Sequence, residues 1–216
     1  FLASGLSIST WASRVPAIRE SLGIENSGVG LLLLGMGVAS IIGLSIAPAV
    51  MARIGARSGM LVALLLVGVG LMIIGFGADS LQLFGVALVG LALFGFGNGA
   101  VDVMMNVEGA ALEKATGRTI MPLLHAFFSF GTVIGAGLGF LAVSLDIPVM
   151  AHCVAMGVVI LVVAFVAVAN VPRAEVAMAA PAAEERAHWR ERLAVSLEAW
   201  REPRTYTLGV IMLGMA

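Results

Sequence analysis

Gly95-Phe-Gly-Asn-Gly-Ala-Val-Asp-Val-Met-Met-Asn106 places Asn98, Asp102 and Asn106 at i, i+4 and i+8, one face of a helix that is otherwise apolar or glycine. A carboxylate in hydrocarbon costs about 3 kcal/mol or several times that, and persists only where it faces a bundle interior or a watery cavity. One isolated span cannot offer that shelter. The stretch therefore predicts a bundle of membrane helices with Asp102 at a functional site.

Composition agrees. Hydrophobic residues make up 60% of the chain and charged residues 12%, with mean hydropathy +1.07, against about 45–50% and 25% in a soluble domain. A net charge of −1 and the lack of a basic tract offer nothing to nucleic acid. Cys153 is the single cysteine, so no intrachain disulfide forms. No His/Cys cluster has metal spacing, and neither Gly-x-Ser-x-Gly nor a Walker-type phosphate loop occurs, so no enzyme chemistry, cofactor or metal is expected.

A span needs about 20 apolar residues. Charge-free intervals of that size run from Glu25 to Arg53, Arg57 to Asp79, Asp79 to Asp102, Arg118 to Asp146 and Asp146 to Arg173. Phe1 to Ser13 and Thr205 to Ala216 are apolar but short, and the chain opens without Met, so both read as spans cut at the edges of a fragment. The connection Glu108 to Thr119 reads as solvated.

Lysine and arginine set the orientation. Ten of them (Arg53, Arg57, Lys114, Arg118, Arg173, Arg186, Arg190, Arg192, Arg201, Arg204) follow spans two, four and six, while only Arg14 and Arg19 follow the others. The positive-inside rule then puts the N-terminus in the cytoplasm of a plasma (bacterial inner) membrane protein. Trp11 stands where an interfacial aromatic belongs, and Pro16 ends span one. Arg14 is either a snorkelling anchor or a gate contact.

Spans three and six have almost nothing polar in their middles. Span five instead carries His125, Ser129 and Thr132 at i, i+4 and i+7, and imidazole titrates near neutrality, so His125 is the second candidate for proton handling. Met104 and Met105 read as packing. Gly131, Gly135 and Gly139 form a small-residue face for close packing against span two or against further helices of a longer chain, and Gly28, Gly30, Gly35, Gly37 and Gly43 do the same in span two.

The turn Met51-Ala-Arg-Ile-Gly-Ala-Arg-Ser58 resembles the signature between the second and third helices of the major facilitator superfamily. Arg53, Gly55 and Arg57 fit it as a conformational gate turn, whereas Ala52 stands where the family has its acid and Pro48 where it has glycine. His125-Ala-Phe-Phe-Ser-Phe-Gly131, with Asp102 and Asn106 in span four, looks like the fucose-permease-like branch. Val107 replaces its usual proline, and span one lacks the acid of proton-coupled sugar members. The resemblance implies an all-α integral membrane protein, the six-helix N-terminal half of a twelve-helix bundle, truncated within its first and seventh helices, with spans three and six facing lipid.

On that division residues 1–171 form the half-bundle, 172–205 a cytoplasmic linker and 206–216 the start of the seventh helix. Within the linker Trp189, Leu193, Leu197 and Trp200 share a helical face, which suits an amphipathic helix on the membrane surface.

The expected function is secondary transport of a small polar solute, with a sugar as one candidate, by alternating access along a pathway of Asn98, Asp102, Asn106, His125 and Ser129. A carboxyl removed from water is driven towards its neutral form, so a change of access or a bound solute can load or release a proton. Partners are the solute, protons and lipid, and a monomer is expected. A proton-driven efflux permease is the alternative, and a non-transporting scaffold or receptor of the same fold is another.

Overall fold

The computed structural model describes residues 1–169. The expected linker, the amphipathic helix expected within it and the expected start of a seventh helix lie outside the described residues. Helix α1 (Leu2–Ala12) is followed at once by the short α2 (Val15–Ser21), with Pro16 in its first turn, where its missing N–H costs nothing. The apolar run has serine or threonine at 4, 7, 9, 10 and 13. Ser7, Ser9, Thr10 and Ser13 donate back to carbonyls of their own helix at 2.7–3.0 Å, so these hydroxyls need no neighbour.

Helix α3 (Asn26–Gly75) contains two predicted spans as two arms joined across a kink. It breaks at Gly55, where φ 78 and ψ 160 belong to a region that only glycine occupies without strain. The first arm, 26–54, contains Pro48, and the second, 56–75, ends in a π-helical turn, Phe76–Ser80. Helix α4 (Phe84–Thr116) stops at Gly117 in the left-handed conformation. Helices α5 (Met121–Ser144) and α6 (Val149–Ala169) follow.

Contact registers give the directions. A side chain added at Gly95 or Gly99 would strike the carbonyls of Met36 and Ser40, and one at Gly43 would strike that of Phe96, so α4 runs parallel to the first arm. Gly70 lies against Gly90 and Phe94, while Gly97 lies against Ala63 and Val67, so the second arm runs antiparallel to α4. The core lies along this second contact, where Val67, Leu71, Ile74, Leu91, Phe94 and Met104 are all buried. Helix α6 pairs antiparallel with the second arm through Gly68 and Gly157, and α1 pairs parallel with α5 through Gly5, Gly131 and Gly135. Small residues permit such close approach where lipid supplies no hydrophobic drive.

Several expectations are corrected by this packing. The glycine face of α5 packs on Leu2, Leu6, Ser9 and Ser13 of α1, not on span two, because α1 lies alongside it and the first arm is taken by α4. Trp11 is not an interfacial anchor, since its ring is buried edge-on against Phe94. The connection expected over Glu108–Thr119 is helical as far as Thr116. The second arm is mostly buried between α4 and α6 and exposes Val62 and Val69, whereas α6 presents Val158, Val162, Phe165 and Val166 outward.

Candidate functional site

On α4 the positions 95 and 99 face the first arm and 90, 94, 97, 101 and 104 are buried towards the second, which leaves 98, 102 and 106 as a third face. Ser4 of α1 fixes where that face points. Its Oγ donates to Asn98 Oδ1 at 2.7 Å from a fully enclosed position, so the polar face turns towards α1. The Asn98 amide nitrogen donates to no described residue.

Asp102, one turn on, is exposed in the half-bundle. At ~1.5 Å per residue it lies about 27 Å along the axis from Phe84, and the helix continues beyond it to Thr116. The carboxylate therefore lies within the helix and not beyond its end. Asn106 Nδ2 donates to the Asp102 carbonyl at 2.8 Å and lies 3.4 Å from Asp102 Oδ1, so the amide steadies the acid from the next turn.

His125 stands at the same end of the bundle. Its ring centroid is 5.2 Å from that of Phe1, and Nδ1 pairs with the Met121 carbonyl of its own helix at 3.0 Å. A proton on Nδ1 satisfies that carbonyl and leaves Nε2 as the free nitrogen. No hydrogen bond joins His125 to Asp102. Ser129 is exposed one turn further on, and its backbone carbonyl accepts from Thr132 Oγ1 at 2.7 Å. The chain thus brings Asn98, Asp102 and Asn106 onto one face and sets His125 and Ser129 on a neighbouring helix without a direct bond between the two groups. Among the described residues no three His, Cys, Asp or Glu side chains gather as metal ligands.

Arg53 and Gly55 are exposed at the turn of α3, and Arg57 Nη2 reaches the Ala169 carbonyl at the end of α6, 3.3 Å away. That bond ties the turn to the last described helix. Arg14 is no snorkelling anchor: it is only 4% exposed and its Nη2 donates to the Ile147 carbonyl at 2.6 Å.

Three polar roles escaped the sequence. Ser4 orients Asn98, Asp79 Oδ2 accepts from the Met150 amide at the start of α6 (3.1 Å), and Glu113 Oε2 accepts from the Met121 amide at the start of α5 (3.1 Å). Only Ser4 had a signal, as one of several hydroxyls in an 11-residue apolar helix. Asp79 caps a helix 71 residues further on, and Glu113 the start of the next helix, eight residues on.

A model of the Major Facilitator Superfamily matches residues 1–216. An uncharacterized transporter of Sinorhizobium fredii is 34% identical over 161 residues, covering 74% of this chain and 41% of its own. An uncharacterized MFS-type transporter of Yersinia pestis is 32% identical over 63% of this chain and 35% of its own. Membrane protein MosC of Rhizobium meliloti is 32% identical over 62% of this chain and 32% of its own. The chain thus spans about a third to two fifths of the length of these curated relatives. No solved structure matches it significantly.

Proposed function

The chain belongs to the major facilitator superfamily, and from that premise we propose a secondary active transporter that moves a small polar solute by alternating access, coupled to protons through Asp102. It is a multi-pass membrane protein, and two of the relatives are named as transporters. The observation that carries the proposal is the α4 face, on which an exposed carboxylate stands between two amides and turns towards α1 rather than into the packed core. An intramembrane acid so placed has access to water from one side at a time and can exchange a proton between the two openings. Asn98 and Ser129 supply hydrogen bonds for the solute, and His125, with one nitrogen free, serves as a second proton carrier.

The Gly55 turn and its arginines belong on the cytoplasmic side by the positive-inside rule. In that orientation Asp102 and His125 lie nearer the cytoplasm, which makes them the exit for a proton entering with solute. Kinship to fucose permeases, and hence a sugar as solute, is supported by Asp102, Asn106 and the Ser129-Phe-Gly131 run.

The test uses the full-length protein. Polar additives that raise its thermal midpoint identify a solute, which is then followed into proteoliposomes with and without an inward proton gradient. Gradient-driven uptake is expected in the parent and abolished in Asp102→Asn, while solute exchange without a gradient persists. Undiminished gradient-driven uptake in the variant defeats the coupling role.

A further inference from the structure

The end of the half-bundle opposite Gly55 holds a contact that the transport reading does not use. Arg14, between α1 and α2, donates from Nη2 to the Ile147 carbonyl in the turn that joins α5 to α6. Asp79, in the π-helical turn, accepts from the Met150 amide on the other flank of the same turn. Arg14 and Asp79, both from residues 1–80, thus grip the one turn between α5 and α6.

The grip is incomplete. Among the described residues, Arg14 Nε and Nη1 are buried without a partner, and so are both ring nitrogens of His152, one turn into α6 and 7% exposed. Arg14 and His152 lie within electrostatic range, and both Arg14 and Asp79 act on buried Cys153 beside them. Among the described residues no carboxylate bonds to Arg14, and Trp11 Nε1, three residues earlier, is buried and unpaired as well. All of these nitrogens are enclosed by protein atoms. A guanidinium stays charged when buried, and each buried donor without an acceptor carries a desolvation penalty that is larger on a charged group.

The closed contact is therefore held by two hydrogen bonds and opposed by the enclosed nitrogens of Arg14 and His152, which gain partners on contact with water. We infer that Arg14, with Asp79, forms a self-releasing latch on the α5–α6 turn, closed in this conformation and biased to let go when the end of the bundle admits water. Asp79 and the Ile147 carbonyl hold it shut, while the dry face of Arg14 against His152 pushes it open. Its use in opening this end to solute rests on the transport reading, but the latch itself does not.

Hydrogen exchange of residues 145–152 in the full-length protein, with no solute and no proton gradient, tests the latch separately from transport. Arg14→Met removes the buried charge and keeps an apolar chain in its place. His152→Phe removes two unpaired nitrogens and leaves the bond to Ile147 intact. Both are expected to slow exchange of the turn by about threefold or more relative to residues 85–95, and Arg14→Met to raise the thermal midpoint. Asp79→Asn, which weakens the grip, is expected to speed exchange. Faster exchange in Arg14→Met overturns the latch and makes Arg14 an ordinary anchor, as does unchanged exchange in both variants. Should Arg14→Met fail to fold, His152→Phe decides alone: slower exchange upholds the latch, and unchanged or faster exchange overturns it.

Discussion

Asn98 and Asp102 show how much one side chain from elsewhere can decide. Their common face was legible from spacing alone, but its direction came from Ser4, which no helical period could identify because serine in an apolar helix more often bonds its own backbone, as Ser7 and Thr10 do here. Ser4→Ala is expected to cost about 0.5–1.5 kcal/mol, and a double-mutant cycle with Asn98→Ala read by thermal unfolding should return a coupling of about that size, with zero coupling refuting the bond. Gly55 is the other residue whose identity is dictated. Its dihedral angles exclude a Cβ although the space around it is open, so Gly55→Ala is expected to destabilise by about 1–3 kcal/mol through backbone strain alone, measured as a lowered unfolding midpoint.

At the scale of helices, counting apolar residues between charges located the spans but misplaced the end of α4. Charges mark where hydrocarbon stops, not where a helix does. Ala110, Ala111 and Leu112 favour helix, Glu113 and Lys114 do not break it, and only Gly117 ends it. The glycine periods were likewise plain while their partners were not, since a small-residue face says that something approaches closely and not which helix it is. The α5 glycines now separate by position. A side chain at Gly135 would overlap Ser9 and meet the Leu6 carbonyl, whereas Gly137 has nothing near it. Gly135→Val should therefore lower stability by about 1–3 kcal/mol, while Gly137→Val stays within about 0.5 kcal/mol. Equal effects in thermal unfolding would show that α1 and α5 do not pack as described.

For the whole half-bundle, the sequence yielded class, span order and polar helices because a bilayer leaves few choices. It did not yield the pairings, which depend on contacts between residues as distant as Gly5 and Gly131. The same limit applies to the pathway: α4 and α5 each declare a polar face, but the distance between them is a tertiary fact. If those faces border water, Ser129→Cys in a Cys153→Ser background should react with a charged thiol reagent roughly tenfold or more faster than Val162→Cys, because reaction requires a thiolate and hence solvation. Comparable rates at both positions in membranes containing the full-length protein would remove the aqueous pathway from this side of α5.

The pairing of α1 with α5 also constrains manufacture on the ribosome. Some 126 residues separate Gly5 from Gly131, which at ~5–20 residues per second is roughly 6–25 seconds of translation before the first span meets its mate. Through that interval α1 must survive in the lipid beside the translocon with five hydroxyl-bearing residues close together. Four of these already point their protons into carbonyls within the same segment. The span can wait unaccompanied, and only Ser4 is left seeking a late-arriving amide.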